Sequence, residues 1–336
     1  MIKEAIAKLV ERKDLSPGEM AECMTEIMEG RATDAQISAF LTALRVKGET
    51  VDEITQAALI MRKKAITISS PPDTIDTCGT GGDLKGTFNI STTSAIIVAA
   101  AGVPVAKHGN RGVSSQAGSA DIAEALGIKI DLPPEKVERC LFETGFGFLF
   151  APQFHPAMKF AIGPRREIGI RTIFNILGPL TNPANAKRQL LGVFRDDLTE
   201  VLAQVLCNLG SEYSMVVHGR DGMDEITITD ETKATRCLGG KIETIRITPE
   251  EFGFKRATEK DLLGGDKNFN ANITLQILSG HKGPKRDIVV MNSAIALIIA
   301  GKASGYQTAR EIIEETIDSG RAKKKLEEIV KFTQTI

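Results

Sequence analysis

The 336-residue chain is 42% apolar and 25% charged, which provides enough apolar material for a sizeable core, and its length favours two domains. Its 42 basic and 43 acidic side chains leave a net charge of -1, so no long-range field attracts it to nucleic acid or to an anionic membrane, and its longest apolar run, residues 95–106, is too short to span a bilayer. The five cysteines are odd in number and lack CxxC spacing, which argues against a disulfide framework and a thiolate metal site and makes the cytoplasm the expected compartment.

Residues 1–69 contain helix signals almost exclusively. Ser16, Thr33 and Thr50 each stand where an N-cap precedes an amphipathic run. The apolar residues in the run after Thr33 recur at spacings of three and four, as on a helix face buried against other helices. We therefore predict a small all-helical domain over 1–69, followed by a hinge at 69–72, where the pattern changes to alternating strands and helices.

The stretch Gly79 to Thr92, GTGGDLKGTFNIST, is typical of a phosphate-binding loop that leads into a helix. Gly79, Gly81 and Gly82 can adopt positive φ and let an anion approach the backbone N–H groups, and the apolar run that follows predicts a helix N-terminus there. Asp83 would repel a phosphate unless a cation stood between them, which favours a metal-bound phosphate ligand. A glycine-rich turn without a ligand is the plainer interpretation of this stretch taken alone.

A second polar, glycine-rich segment, Lys107 to Asp121, follows a short β-branched run and precedes a helical pattern. Lys107 can pair with a phosphate, and His108 and Asn110 can hydrogen-bond a polar substrate. Both loops are predicted to lie after a strand and before a helix, so we expect them to share one crevice at the edge of a sheet.

From His155 the chain is predicted to be helical, with an interruption near Gly163-Pro164, and it carries Arg165. A solvated helix face is as plausible for this arginine as a role in a site. The proline- and glycine-punctuated segment 174–184 predicts a second crossing between domains. We predict that about 163–184 joins the helical domain, and that the large domain comprises 70–162 and 185–336.

After residue 189 the strand and helix signals alternate again. A strand at 213–219 ends in a loop that holds Asp221, Asp224 and Glu225, whose carboxylates repel one another unless a cation is near. Mg²⁺ suits such oxygen ligands, although a hairpin connection with acidic flanks is the plainer interpretation. The fold class predicted for the whole chain is α/β, in which the small all-helical domain is joined to a larger domain with a central, mostly parallel sheet flanked by helices.

Five motifs occur in the order and spacing of the anthranilate phosphoribosyltransferase family: GTGGD with FNIST, KHGNRGVSSQAGSAD, HPAMK with Arg165, FNILGPLTNPA, and GMDEIT. The chain resembles this family from its N-terminus to about residue 330. The resemblance implies transfer of the phosphoribosyl group of 5-phosphoribosyl diphosphate (PRPP) to the amino group of anthranilate, with release of pyrophosphate, in tryptophan biosynthesis. It also implies Mg²⁺, with two ions per site, and a homodimer formed through the small helical domains. Association with an anthranilate synthase subunit is left open, and neither nucleic acid nor a membrane is an expected partner.

The resemblance further implies roles for individual residues. The residues implied to bind PRPP are Gly79, Thr80, Gly81, Gly82, Asp83, Thr87, Asn89, Ser91, Thr92, Lys107 and Ser119. Those implied to bind anthranilate are Gly79, His108, Asn110, His155 and Arg165, of which Arg165 faces the carboxylate. The implied metal ligands are Ser91, Asp224 and Glu225. No dedicated acid or base is implied, because Lys107 and the Mg²⁺-bound diphosphate stabilise the charge of the transition state.

Two positions depart from the family pattern. Leu84-Lys85 stands where the loop is often smaller or richer in glycine, and Met158 stands where some relatives have an aromatic residue, which affects loop motion and channel packing.

Two other functions remain open at the level of sequence. A pyrimidine-nucleoside phosphorylase of the same architecture would use phosphate as the nucleophile. It is expected to have a different glycine loop and no metal-binding acidic pair such as Asp224 and Glu225, which we call the acidic pair. A non-catalytic, nucleic-acid-binding relative is expected to have a strongly basic surface, whereas this chain has a net charge of -1.

Overall fold

The computed structural model describes residues 1–112 and 116–336, and it begins with a bundle of four helices. These are α1 (Ile2–Val10), α2 (Pro17–Met28), α3 (Asp34–Lys47) and α4 (Val51–Lys64). Ser16, Thr33 and Thr50 cap the last three, and each cap hydroxyl accepts a hydrogen bond from the N3 backbone while the N3 side chain returns to the N–H of the cap residue. The small helical N-terminal domain predicted from these signals is confirmed.

A seven-stranded sheet forms the centre of the remaining chain. Its strands are β1 (Ile75–Gly79), β2 (Val105–Gly109), β3 (Phe146–Phe150), β4 (Arg188–Gly192), β5 (Tyr213–Gly219), β6 (Thr232–Leu238) and β7 (Lys241–Ile247). The order is β3-β2-β1-β4-β5-β6-β7, in which the first five are parallel and the last two pair antiparallel. The predicted mostly parallel sheet is therefore confirmed. The winding direction reverses between β1 and β4, and a ligand crevice is expected beyond the carboxyl ends of the strands at such a point.

Eleven further helices are found among the described residues of the remaining chain. They are α5 (Ile90–Ala100), α6 (Ser119–Ala125), α7 (Pro134–Thr144), α8 (Ala151–Phe154), α9 (Lys159–Ile168), α10 (Phe174–Leu177), α11 (Leu198–Asn208), α12 (Lys267–Leu278), α13 (Pro284–Ile299), α14 (Tyr306–Asp318) and α15 (Arg321–Thr335). Helix α5 is buried between the sheet and α13, which explains why its sequence is apolar on all sides. Within residues 1–112 and 116–336, no helix is both long and apolar enough to cross a membrane.

Helices α9 and α10 pack against the N-terminal bundle, where α9 contacts α2 and α3 and α10 contacts α4. Ala161 and Leu177 lie in the same buried apolar cluster as Phe40 of α3. The predicted interruption at Gly163-Pro164 is wrong, because α9 runs through it. Pro164 cannot donate to the preceding turn, but Gly163 has no Cβ to collide with the proline ring, so the helical backbone is tolerated. The domain boundaries at 163 and 184 stay a prediction.

Candidate active site

A cavity of about 590 Å³ opens beyond the carboxyl ends of the central strands. The loop after β1 and the segment after β2 both line it, so the crevice predicted for these two loops is present. Arg165 and Phe174, from α9 and α10, line it as well, and Gly264 and Asn270 contribute a further stretch of wall near the start of α12. The cavity is thus bounded by the sheet domain and by helices that pack on the N-terminal bundle.

The glycine loop after β1 is built to let a carboxylate approach its backbone. Gly81 and Gly82 have φ of +66° and +78°, which an L side chain rarely adopts. The Gly81 N–H donates to Asp224 Oδ2 at 2.9 Å, and a Cβ at Gly79 would lie only 2.8 Å from the same oxygen. Glycine at these positions therefore lets two segments that are far apart in sequence meet at one edge of the cavity.

Asp224 and Glu225 lie in the connection between β5 and the antiparallel β6, so the hairpin interpretation of this segment also holds. The Ser91 N–H donates to Glu225 Oε1 at 3.2 Å, and the Asp224 N–H donates to Asp83 Oδ2 at 3.4 Å. Withdrawal from water, together with the neighbouring Asp83 carboxylate, raises the pKa of Asp224 to about 7. Burial and the charge of Asp224 raise the pKa of Glu225 well above its usual value.

These crowded carboxylates fit a hard divalent cation, which would relieve their mutual repulsion through oxygen ligands. No group of three or more His, Cys, Asp or Glu side chains with metal-binding geometry occurs in the described part of the chain. Oxygens of a bound substrate can add to the ligands that the Asp83, Asp224 and Glu225 carboxylates offer.

Helix α5 starts directly beside the acidic pair. It begins at Ile90, so that Ser91 and Thr92 lie in its first turn rather than before it. The Oγ1 of Thr92 is buried and has no hydrogen-bond partner among the residues described. Lys107, only 1% exposed, donates from Nζ to the Thr77 carbonyl at 2.6 Å and to Ser91 Oγ at 3.4 Å. Burial lowers the pKa of Lys107, while Asp76 opposes that shift. The positive end of the α5 dipole, the Thr92 hydroxyl and a lysine thus converge where an anion can bind.

Arg165 extends from α9 on the opposite side of the cavity. Its guanidinium carbon lies 5.2 Å from the centroid of the Phe174 ring, and burial alone lowers its pKa. Within residues 1–112 and 116–336, no acidic side chain forms an ion pair with Arg165. A partly desolvated guanidinium without a partner fits a planar carboxylate brought by a ligand.

His108 and His155 form a buried pair, with ring centroids 5.0 Å apart. The Nδ1 of His108 lies 3.1 Å from the Gly178 carbonyl oxygen, and in the described structure the Nε2 atoms of both rings lack partners. Burial lowers the pKa of His108 to about 3 and that of His155 to about 4. Both rings are therefore neutral at pH 7.

The structure brings nearly all the predicted site residues to the cavity wall. Those that line it are Gly79, Thr80, Gly81, Gly82, Asp83, Thr87, Asn89, Ser91, Thr92, Lys107, His108, Asn110, Ser119, Arg165 and Asp224. Glu225 and His155 are not part of the wall, although each contacts a residue that is. Residues 113–115 of the predicted segment KHGNRGVSSQAGSAD lie outside the described residues.

The two positions that depart from the family pattern lie in different places. Leu84 lines the cavity at the tip of the glycine loop with φ of +61° and 80% of its side chain exposed, and Lys85 pairs with Glu259 at 3.0 Å. Met158 packs against the apolar cluster of the helical domain.

Sequence reasoning missed the contribution of Gly264, Gly265 and Asn270, which line the cavity from the opposite end of the chain. Arg171, for which the sequence leaves a solvated helix face as plausible as a role in a site, donates to the Gly82 carbonyl and lies 4.3 Å over the Phe194 ring. A signal for the first group exists: the tripeptide Gly-Gly-Asp at 264–266 repeats that at 81–83, and its aspartate is the N-cap of α12.

Comparison with known proteins matches both parts of the chain. Residues 3–65 match the helical bundle domain of the glycosyl transferase family, and residues 71–323 match its a/b domain. The chain is 56% identical to the anthranilate phosphoribosyltransferase of Acetivibrio thermocellus, over 100% of this chain and 97% of that relative. It is 57% identical to that of Moorella thermoacetica, over 100% and 99%.

Two solved structures share the fold throughout. The anthranilate phosphoribosyltransferase of Thermus thermophilus has a TM-score of 0.93 and 40% identity, covering 98% of this chain and 99% of that one. The enzyme of Saccharomyces cerevisiae in complex with PRPP and Mg has a TM-score of 0.92 and 26% identity, covering 100% and 98%. Because both sequence and fold match over essentially the full length, the chain belongs to the anthranilate phosphoribosyltransferase family.

Proposed function

We propose that this chain transfers the 5-phosphoribosyl group of PRPP to the amino group of anthranilate, giving N-(5-phosphoribosyl)anthranilate and pyrophosphate, as a step of tryptophan biosynthesis. The observation that carries the proposal is the division of the cavity. One side presents the glycine loop, the start of α5 and the acidic pair, which suit a metal-bound diphosphate. The other side presents Arg165, which has no carboxylate partner among the described residues. Complexes of the S. cerevisiae relative, one with PRPP and Mg and another with 4-fluoroanthranilate, support this pairing.

The side of the cavity that carries the glycine loop is proposed to bind PRPP, mainly through groups that already face the position of an anion. Thr92 Oγ1 is buried and lacks a partner in the described structure, and the N-terminus of α5 adds backbone N–H groups. Lys107 supplies a positive charge. The proposed PRPP residues are Gly79, Thr80, Gly81, Gly82, Asp83, Thr87, Asn89, Ser91, Thr92, Lys107 and Ser119. The proposed anthranilate residues are Gly79, His108, Asn110, His155 and Arg165.

Mg²⁺ is proposed to be held by Ser91, Asp224 and Glu225, with two ions in each site. The raised pKa values of the two carboxylates support this, because a cation would stabilise their ionised forms. When bound, Mg²⁺ neutralises charge on the diphosphate and so makes it a better leaving group.

Displacement at C1 of the ribose builds positive charge on the ring and negative charge on the departing diphosphate. Lys107 and the positive end of the α5 dipole are proposed to stabilise that negative charge. The amine of anthranilate is already neutral at pH 7, so no base is needed before it attacks, and its proton can leave later to water or pyrophosphate. The neutral His108 and His155 suit a packing and orienting role.

Three further proposals concern motion, assembly and compartment. Arg165 lies on α9, which packs on the N-terminal bundle, whereas the glycine loop belongs to the sheet, so closure about the hinge at 69–72 would bring the two substrates together. A homodimer through the small helical domain is supported by Val10 and Val46, which leave 70% and 63% of their side chains exposed there. The cytoplasm is the proposed compartment because all five cysteines are free.

The test of the function is a fluorescence assay of anthranilate consumption with and without PRPP and Mg²⁺. We expect Arg165→Ala to raise the anthranilate KM about 10- to 100-fold, the range for a lost charge-assisted hydrogen bond, with the PRPP KM changed less than about twofold. Arg166→Ala, on the exposed side of the same helix, is the matched control and should change neither KM.

Equal effects of Arg165→Ala on both KM values would contradict the assignment. Turnover of thymidine or uridine with phosphate, in the absence of anthranilate, would favour the phosphorylase. Salt-sensitive DNA binding without any turnover would favour the nucleic-acid-binding alternative.

A further inference from the structure

Asn270, in the first turn of α12, joins three separate segments of the cavity wall and is only 2% exposed. The N–H of Gly265 donates to Asn270 Oδ1 at 2.8 Å. Asn270 Nδ2 donates to Asn89 Oδ1 at 3.1 Å, and Asn89 Nδ2 donates to the Ala117 carbonyl at 3.1 Å. The two side-chain amides thus link the 264–265 segment, the N-cap of α5 and the loop after β2.

Backbone groups at both ends of this series of hydrogen bonds determine which side-chain atoms donate and which accept. The N–H of Gly265 can only donate, so Asn270 must turn its oxygen towards Gly265 and its NH₂ group towards Asn89. Asn89 must then accept through its oxygen, which turns its own NH₂ group towards the Ala117 carbonyl. Each asparagine therefore has one orientation that satisfies all its neighbours, and Asn270 supplies one of the two hydrogen bonds that hold the Asn89 amide.

The surrounding backbone leaves no room for a different arrangement. A Cβ at Gly264 would lie 2.6 Å from Asn270 Oδ1 and 2.7 Å from the Phe88 backbone nitrogen. The Gly264 N–H donates to the Gly86 carbonyl at 2.9 Å, which ties this segment to the glycine loop. The side chain of Asn270 is consequently held between two backbone segments that are themselves bonded to each other.

We propose that Asn270 is a positioning residue for PRPP, which acts by fixing the side-chain amide of Asn89. The inference rests on the proposed function, in which Asn89 binds PRPP. Without Asn270, the Asn89 amide loses one of the two hydrogen bonds that hold it, so that PRPP binding has to supply more of the ordering of that side chain. The effect is therefore expected in the PRPP KM and to be absent from the anthranilate KM.

The test is a double-mutant cycle on the full chain, with kcat and both KM values measured together with the melting temperature. Asn270→Ala is expected to raise the PRPP KM about tenfold, the value of one typical hydrogen bond, and to leave the anthranilate KM unchanged. Asn270→Asp keeps the acceptor for Gly265 but cannot donate to Asn89, so it should raise the PRPP KM at least as much as Asn270→Ala does. The aspartate variant replaces the alanine variant in the test if the latter fails to fold. Asn268→Ala, exposed in the same turn of α12, is the matched control.

The cycle separates the possible roles of Asn270. In an Asn89→Ala background, Asn270→Ala is expected to change the PRPP KM less than about twofold, because the hydrogen bond through which it is proposed to act is gone. A full tenfold effect there would mean that Asn270 acts independently of Asn89 and would overturn the proposal. So would a lowered melting temperature with an unchanged PRPP KM, which marks a purely structural role. If Asn89→Ala itself leaves the PRPP KM unchanged, the proposed role of Asn89 fails instead.

Discussion

Replacing Gly192 by alanine is expected to displace the acidic pair while leaving the sheet in place. Gly192 ends β4 and pairs with Gly79 at the end of β1, directly beneath the loop that carries Asp224. A Cβ on Gly192 would stand 1.7 Å from the carbonyl oxygen and 2.6 Å from the carbonyl carbon of Asp224. These are backbone atoms, which cannot turn away as a side chain can, so the loop has to retreat by about 1.5 Å before ordinary contact is restored.

The magnitude follows from that displacement. A misplacement of about 1 Å in a reacting assembly can cost about 100-fold in rate, so Gly192→Ala should lower kcat/KM for PRPP at least 100-fold, or about 2.7 kcal/mol of transition-state stabilisation. At Gly79 the added Cβ would lie 2.8 Å from Asp224 Oδ2, the movable end of a side chain. Gly79→Ala is therefore expected to cost only about tenfold.

The assay is anthranilate consumption with PRPP and Mg²⁺ varied in turn, accompanied by circular dichroism to show that the fold persists. Gly18→Ala in α2 is the control, because a Cβ there meets nothing within 4 Å. The reasoning is refuted if folded Gly192→Ala stays within about threefold of the parent chain, or if Gly79→Ala proves the more damaging of the two.

Three other outcomes are expected. Asp224→Asn combined with Glu225→Gln should abolish Mg²⁺-dependent turnover with an intact circular dichroism spectrum, and unchanged activity would refute the metal role. Because burial holds the pKa of His108 and His155 near 3 and 4, the unfolded chain binds protons below pH 6.5 that the folded chain does not. This pair therefore lowers stability from pH 6.5 downwards, by about 2 kcal/mol per histidine at pH 5, while the raised pKa values of Asp224 and Glu225 act in the opposite direction. Between pH 7 and pH 5, urea titrations should show that the change in stability of His155→Gln is about 2 kcal/mol more favourable than that of the parent chain. Leu84→Asn should raise the free energy of unfolding by up to about 1 kcal/mol, because asparagine tolerates the positive φ at this exposed tip, and an unchanged melting curve would contradict the strain argument.

The features that could be predicted from the sequence are those with local signals. The caps at Ser16, Thr33 and Thr50 predict their helices from signals within four residues. Gly81 and Gly82 indicate a loop that needs positive φ. The strand at 213–219 is bounded correctly by its apolar run and its final glycine. In each case the residues that decide the conformation are neighbours in the chain.

The features that could not be predicted depend on partners far away in sequence. Asn270 is 181 residues from Asn89, and its neighbours in the chain do not distinguish it from any polar residue in a first helical turn. Arg171 looks like a solvated charge until the Gly82 carbonyl is brought beside it. Helix α9 continues through Pro164 because Gly163 precedes the proline and other helices pack against α9. A rule that considers the proline alone includes neither effect.

The apolar cluster beneath the N-terminal bundle has a consequence for synthesis of the chain. Leu9 and Phe40 lie in one buried cluster with Ala161, Leu177 and Leu202, so this cluster is complete only after residue 202 is made. At about 5 to 20 residues per second, a ribosome needs roughly 8 to 30 seconds to extend the chain from residue 40 to that point. During this interval the first four helices expose apolar faces that the finished protein covers. The nascent chain is therefore expected to depend on chaperones until its second half emerges.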